Sequence, residues 1–271
     1  MNAEKSNLIR VSPRQSASYC KMIQGIIFDL GWTLTYYDYD WNAVNVTAYK
    51  NAAAFLQSNG IRVAEDFAAQ FHAARERGWK RADETGVEQT VEDALRETLA
   101  PLGYTSLDGI APRAVEVFFA EHETHWVAYN DSLATLQELA QRGLRIGLIS
   151  NADDDGLVRR QIKHAGFEPY LSPILSSAQE PRWRKPDPRI FHLISEAWQL
   201  APSDIVMIGD APMYDVLGAH RAGMKAIWID RNEARAWQKI PDALANDPMI
   251  HADKIVRTLS EIPKQLDSWL V

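Results

Sequence analysis

Four stretches of this 271-residue chain carry side chains that could do chemistry. The run Ile26-Ile27-Phe28-Asp29-Leu30-Gly31-Trp32-Thr33-Leu34-Thr35 sets a carboxylate, Asp29, at the tip of an apolar segment. Open α/β sheets bind ligands at the carboxyl ends of their strands, so Asp29 is placed for chemistry there. A turn or capping aspartate explains the same residue about as well. Leu148-Ile149-Ser150-Asn151 ends a second apolar run with a hydroxyl and an amide that can hydrogen-bond an anion, although Ser and Asn also open ordinary turns. In Arg182-Trp183-Arg184-Lys185-Pro186-Asp187-Pro188-Arg189-Ile190-Phe191, prolines hold Lys185 just ahead of a helix start, a good seat for phosphate. A solvated basic loop is the commoner fate of such a lysine. Ile208-Gly209-Asp210-Ala211-Pro212-Met213-Tyr214-Asp215 puts two carboxylates across a strand–helix junction, with Gly209 expected to allow a sharp turn. Near Asp29 these acids would repel unless a hard cation sat among them, and oxygen ligands suit Mg²⁺. Asp215 alone could equally be a first-turn acid favoured by the helix dipole.

The elements that must position these residues are short β-branched runs alternating with amphipathic helices. Strands are predicted at Ile23–Leu30, Leu144–Ser150, Ile205–Gly209 and Ala226–Ile229, all apolar enough to be covered on both faces. Helices are predicted over Asp131–Gly143, Gly156–Gly166 and from the Asp187 cap with Pro188 at the first position. This alternation implies a doubly wound, Rossmann-like parallel sheet. Residues 36–129 break the pattern. They read as amphipathic helices at Ala43–Asn59, Ala64–Arg81, Thr90–Leu102 and Ile110–Trp126, with no convincing buried strand. The expected organisation is a core domain formed by 23–35 and 130–271, a helical cap domain over 36–129, and a disordered extension over 1–22.

Together, in this order and spacing, the four motifs resemble the haloacid dehalogenase-like superfamily, over about Ile23 to Ser260. The helical block resembles that family's α-helical cap of the C1 type. The resemblance implies a Mg²⁺-dependent phosphohydrolase acting on a small phosphorylated molecule. Asp29 would be the nucleophile that becomes an aspartyl-phosphate. Ser150 would bind the transferring group with Asn151 beside it, and Lys185 would neutralise its charge. Asp29, the Gly31 carbonyl and Asp210 would hold the metal, and Asp215 would orient Lys185 or a metal-bound water.

The pattern is broken at one place. Family phosphatases carry an acid–base aspartate two residues after the nucleophile; here that position is Gly31, followed by Trp32 where a glycine is usual. General acid–base help, worth ~10²–10⁴-fold, should be missing unless another group supplies it. Asp38 and Asp40 are the nearest replacements in sequence, and a Gly31→Asp change tests for a missing acid: faster alkyl phosphate turnover supports it and no change counts against it. The alternative functions are a 2-haloacid dehalogenase-type hydrolase, which needs no such acid, or a catalytically weak binding or regulatory relative. Lys50 and Lys80 are candidate Schiff-base lysines for phosphonate cleavage, though cap lysines usually face solvent.

Among the remaining features, Trp41, Trp79, Trp126, His72, His122 and His125 could line a pocket, and more commonly such residues bury helix faces. His122 and His125 share a helix face, but no third zinc ligand lies near. Asp153-Asp154-Asp155 reads as a solvated helix-start cluster. A net charge of −7 argues against a nucleic-acid partner. No apolar run approaches the ~20 residues of a membrane helix, and the lone Cys20 points to a reducing, cytoplasmic setting.

Overall fold

The computed structural model describes residues 22–233 and 235–270. The extension expected over 1–22 therefore lies, save for Met22, outside the described residues. At the centre of the fold is β1 (Gly25–Phe28), paired in parallel with β4 (Arg145–Ser150) on one side and β6 (Ile205–Gly209) on the other. With β5 (Ile174–Ser176), β7 (Lys225–Ile229) and β8 (Lys254–Val256) the six-stranded parallel sheet has the order β5-β4-β1-β6-β7-β8. The four long runs read as strands are strands. The edge strands β5 and β8 were not foreseen, because three residues, of which one is buried, carry too little apolar pattern to register.

Successive side chains of β1 feed opposite cores, as the pleat requires. Ile26 and Phe28 join Leu136, Leu139, Val158 and Ile162 from α5 (Ser132–Gln141) and α6 (Asp155–His164). Ile27 instead meets Ile190, Phe191 and Ile194 of α7 (Pro188–Trp198) and Ala219 of α8 (Leu217–Arg221). Asp187 caps α7 by accepting from the Arg189 N–H at 2.9 Å, with Pro188 at the first position as expected.

Between β1 and α5 the chain leaves the sheet through β2 (Thr35–Tyr37) and returns through β3 (Trp126–Ala128), which pair antiparallel. No strand was expected here; two three-residue strands are too short to show a period of two in the sequence. They enclose α1 (Trp41–Ser58), α2 (Phe67–Thr85), α3 (Val91–Leu99) and α4 (Ile110–Glu123). These helices bury a core of their own, including Leu56, Phe71, Leu95 and Phe118, and α6 contributes Leu157 to it. Among the described residues, no helix is long and apolar enough to cross a membrane.

The histidines of α4's end do not form a metal pair. The fully buried His122 ring meets the Tyr37 hydroxyl at 3.1 Å through Nδ1, whereas His125 Nδ1 turns to Asp38 Oδ1 at 3.1 Å. Burial lowers the His122 pKa from 6.5 to about 4, so the unfolded chain binds the extra proton between those values and the native one does not. Stability from this residue is therefore present above pH 6.5 and lost as pH falls toward 4. The urea midpoint of the wild type should fall across that window, and His122→Phe should fall less steeply. Parallel curves would assign the acid sensitivity elsewhere.

Candidate active site

Asp29, Gly31, Ser150, Asn151, Lys185, Asp210 and Asp215, the residues predicted to bind metal or phosphoryl group, come together at the carboxyl end of β1, β4 and β6. Lys185 is the hub. Its Nζ lies 2.6 Å from Asp29 Oδ1 and 2.6 Å from Asp215 Oδ1, and all three groups are buried. Burial would strip the ammonium of its proton, but Asp215 and Asp29 more than offset that and raise its pKa. The loop carrying Lys185 is held by Asn151, whose Oδ1 accepts from the Lys185 N–H at 2.8 Å while its Nδ2 donates to the Lys185 carbonyl at 2.9 Å. Asn151 was expected on a phosphoryl group. Its amide is instead committed to positioning the lysine, a pairing across 34 residues that no local sequence signal announces.

Asp210 completes an acidic cluster. One carboxylate oxygen from each of Asp29, Asp210 and Asp215 lies within 4.8 Å of the others. Burial, then the charges of Asp29 and Asp215, push Asp210 up to about 8, and burial raises Asp29 to about 6 against the pull of Lys185. Asp215 has both oxygens engaged: Oδ1 on Lys185 and Oδ2 on the Ala211 N–H at 3.0 Å. Gly209 makes this possible by close approach rather than by an unusual backbone angle. A Cβ there would lie 2.1 Å from Asp215 Oδ2.

Two contacts were not anticipated. The Thr33 hydroxyl donates to Asp29 Oδ2 at 3.2 Å, and the hydroxyl four residues after Asp29 was the available signal. Trp237 Nε1 and Gln238 Nε2 donate to Asp210 Oδ2 at 2.9 and 3.3 Å, from a segment that followed no motif.

Gly31 and Trp32 show how the altered turn is built. The Thr35 N–H donates to the Leu30 carbonyl and the Thr35 carbonyl accepts from the Trp32 N–H, which closes the turn around Gly31, itself a lining residue of the cavity. Trp32 adopts the left-handed conformation, φ 62°, that glycine would take without strain. Its ring is held by Trp126 and Trp237 at centroid distances of 5.9 and 5.8 Å and by the Arg235 guanidinium 3.3 Å above it. A Cβ on Gly31 would come within 3.3 Å of the Trp126 ring.

Asp29, Ser150, Lys185, Asp210 and Asp215 form the floor of a cavity of about 300 Å³, with Trp32, Trp41, Phe119, Trp126 and Trp237 on its walls. Part of the aromatic cluster thus does line a pocket. Asp38 and Asp40 do not reach it: Asp38 pairs with His125, and Asp40 caps α1 by accepting from the Asn42 N–H at 2.8 Å. The acidic run does start a helix, as expected, but Asp153 is turned to a buried partner rather than to solvent. Asp153 holds the buried Arg75 at 3.0 Å, Asp154 caps α6 at the Leu157 N–H at 2.6 Å, and Asp155 reaches Arg159.

A family model described as haloacid dehalogenase-like hydrolase matches residues 23–223. The chain belongs to the haloacid dehalogenase-like hydrolases. It is similar to a phosphoserine phosphatase of Thermus thermophilus, 35% identical over 170 residues that cover 59% of this chain and 65% of that one. A ribulose-1,5-bisphosphate 5-phosphatase of Halopiger xanaduensis is 25% identical over 248 residues, covering 89% and 98%. Among solved structures, a 2-haloacid dehalogenase from Pseudomonas syringae superposes with a TM-score of 0.65 at 26% identity, covering 92% of this chain and 100% of that one. The chain spans about half to two thirds of the length of several curated relatives it matches.

The close approach at Gly209 gives a direct test. Gly209→Ala should displace the Asp215 carboxylate and free one side of Lys185. Overpacking of this kind costs about 1–3 kcal/mol, which a denaturant titration would detect. An unchanged midpoint would show that Asp215 moves freely.

Proposed function

We propose that the chain is a Mg²⁺-dependent phosphohydrolase that acts on a small phosphorylated metabolite through an aspartyl-phosphate on Asp29. The observation that carries this reading is the charge at the sheet tip: three buried carboxylates cluster there, and the one ammonium beside them pairs with only two, Asp29 and Asp215. The donor set fits a hard divalent cation, since every ligand is oxygen and Asp210 is driven toward its protonated form when no cation faces it. Asp29, Asp210 and the Gly31 carbonyl would hold the ion. Asp215, with both oxygens spent, would keep Lys185 aimed. When bound, Mg²⁺ supplies neutralisation of charge on the phosphoryl oxygens.

The chain's own groups do the rest. Asp29 attacks phosphorus through one oxygen while Thr33 steadies the other. Lys185 and Ser150 donate to the phosphoryl oxygens from fixed positions, which is most of what phosphoryl transfer requires. The phosphatases among the relatives support this reading. The dehalogenase neighbour supports a second one, in which Asp29 attacks carbon, and the missing acid at Gly31 favours it; Asp210 has no task in that reaction. The single cysteine supports a cytoplasmic setting.

Hydrolysis of para-nitrophenyl phosphate should require Mg²⁺ and should fall on the order of 10³-fold or more in Asp29→Asn. Halide release from a 2-haloacid without phosphate turnover would overturn the proposal in favour of the dehalogenase. Neither activity would leave a binding protein. The Trp126 contact also revises the expectation for Gly31. Gly31→Asp alone should gain little on alkyl phosphates, because the ring, 3.3 Å from where a Cβ would stand, has to shift to admit the new side chain. Gly31→Asp combined with Trp126→Leu should gain about 10-fold or more, part of the ~10²–10⁴ a general acid supplies. A full gain in the single variant would show that Trp126 yields.

A further inference from the structure

We propose that the substrate is an aryl phosphate: a phosphate monoester whose bridging oxygen sits directly on a flat aromatic ring, with no second anionic group. This rests on the phosphohydrolase reading and names the substrate class of the same cavity.

The walls state the shape. Trp32, Trp41, Phe119, Trp126 and Trp237 surround the space above Asp29, and Leu157 closes it from α6. Aromatic rings prefer to meet other rings face-offset or edge-on, and the indoles already meet one another that way, at 5.9 Å for Trp32 with Trp126 and 6.5 Å for Trp41 with Trp126. The cavity of about 300 Å³ is at the small end for ligand sites, room for a phosphate and one or two rings.

The polar side chains of the cavity argue against bisphosphates, phosphorylated acids and sugar phosphates. Among the described residues Lys185 is the sole cation lining the cavity, and it is already shared by Asp29 and Asp215. The other charged wall residue, Asp153, is anionic and bound to Arg75. A second phosphate or a carboxylate would find no partner there. Away from the floor, the neutral polar groups on the wall are Gln161, Tyr214, Asn151, whose amide is spent on Lys185, and the indole N–H groups, which can donate but not accept, a poor match to the hydroxyls of a sugar.

The missing acid points the same way from independent grounds. Gly31 has no carboxyl, the Trp126 ring lies 3.3 Å from where a Cβ on it would stand, and Asp38 and Asp40 are engaged outside the cavity. The leaving oxygen must therefore depart unprotonated. When Asp29 Oδ bonds to phosphorus, the P–O(aryl) bond breaks and its electron pair goes to the phenolic oxygen, where the ring delocalises the charge; solvent then protonates the phenolate. Water attacks phosphorus of the aspartyl-phosphate, releasing inorganic phosphate, the Asp29 carboxylate and a proton. An alkoxide gains no such delocalisation.

The test measures kcat/KM of the full chain with Mg²⁺ on acetyl, phenyl, benzyl and cyclohexylmethyl phosphates, ribose 5-phosphate and phosphoserine. Phenyl should exceed benzyl phosphate by ~10²-fold or more, the size of the absent acid contribution. Benzyl should exceed its saturated counterpart, with a similar leaving oxygen, by about 3- to 10-fold, the size of one or two aromatic contacts. Trp41→Leu should shrink the second ratio toward one, whereas a merely structural defect would lower both substrates alike. Equal rates for the benzyl and cyclohexylmethyl esters, or faster turnover of ribose 5-phosphate or phosphoserine than of phenyl phosphate, would overturn the inference while Asp29-dependent hydrolysis of acetyl phosphate kept the phosphohydrolase reading. Failure on acetyl phosphate as well would sink both.

Discussion

One buried ammonium between two carboxylates governs this structure. Lys185 is 2% exposed and touches Asp29 and Asp215 at 2.6 Å each. Such an arrangement is a poor way to stabilise a fold, because desolvating each ion costs several kcal/mol and an apolar replacement is often as stable. It persists only where the surroundings over-determine it, and here they do. Asn151 grips the lysine's peptide from the neighbouring strand, Gly209 clears the volume for Asp215, and the Ala211 N–H takes that residue's second oxygen. Asp210 has no such ammonium partner, and two side chains from the 235–238 segment supply neutral donors to it. Charge strain of this kind is concentrated where a fold is built to receive a cation and an anion together.

The inserted helices are tied to the same loop that carries the lysine. The Glu88 N–H donates to the Arg182 carbonyl at 2.8 Å, the Arg184 N–H donates to the Gly86 carbonyl at 3.2 Å, and the Arg182 guanidinium reaches Asp93 at 2.7 Å. On the other side of the cavity Arg75, buried in α2, grips Asp153 just beyond β4. Glu88 is buried between the Ser177 hydroxyl at 2.6 Å and Arg184 at 3.5 Å, and burial raises its pKa. The insertion and the sheet thus share polar contacts close to the reactive floor. Any motion of the helices away from the sheet must break buried pairs within two or three residues of Lys185, which couples opening of the cavity to the charge balance at its base.

The sheet core was legible because its strands are long, apolar on both faces and followed by helix caps; β1, β4 and β6 need no tertiary information to be seen. Asp29, Lys185, Asp210 and Asp215 were legible for the same reason, since each is tied to the end of such an element. What was hidden depends on distance in sequence. Asn151 and Lys185 meet across 34 residues, Trp237 reaches Asp210 across 27, and Trp126 stands over Gly31 only because β3 pairs with β2. Asp153 looked solvated because its partner, Arg75, comes from another element. Short edge strands fail for a different reason: three residues cannot display a period.

The departure at Gly31 is the clearest case of local and distant structure acting as one unit. Removing a carboxylate from a buried turn would ordinarily leave a hole and a polar gap. Here the Trp126 ring stands 3.3 Å from where a Cβ on Gly31 would lie, and the next residue, Trp32, takes a left-handed backbone that costs roughly 1–2 kcal/mol for a side chain of its size. That cost is offset only if the Trp32 ring is held, and it is held by Trp126, Trp237 and Arg235 from two distant segments. Trp237 in turn donates to Asp210. The aromatic wall is therefore continuous, through hydrogen bonds and ring contacts, with the acidic floor. Three groups distant in sequence therefore support one strained tryptophan, and a change at any of them would be felt both in the turn after Asp29 and at the Asp210 carboxylate.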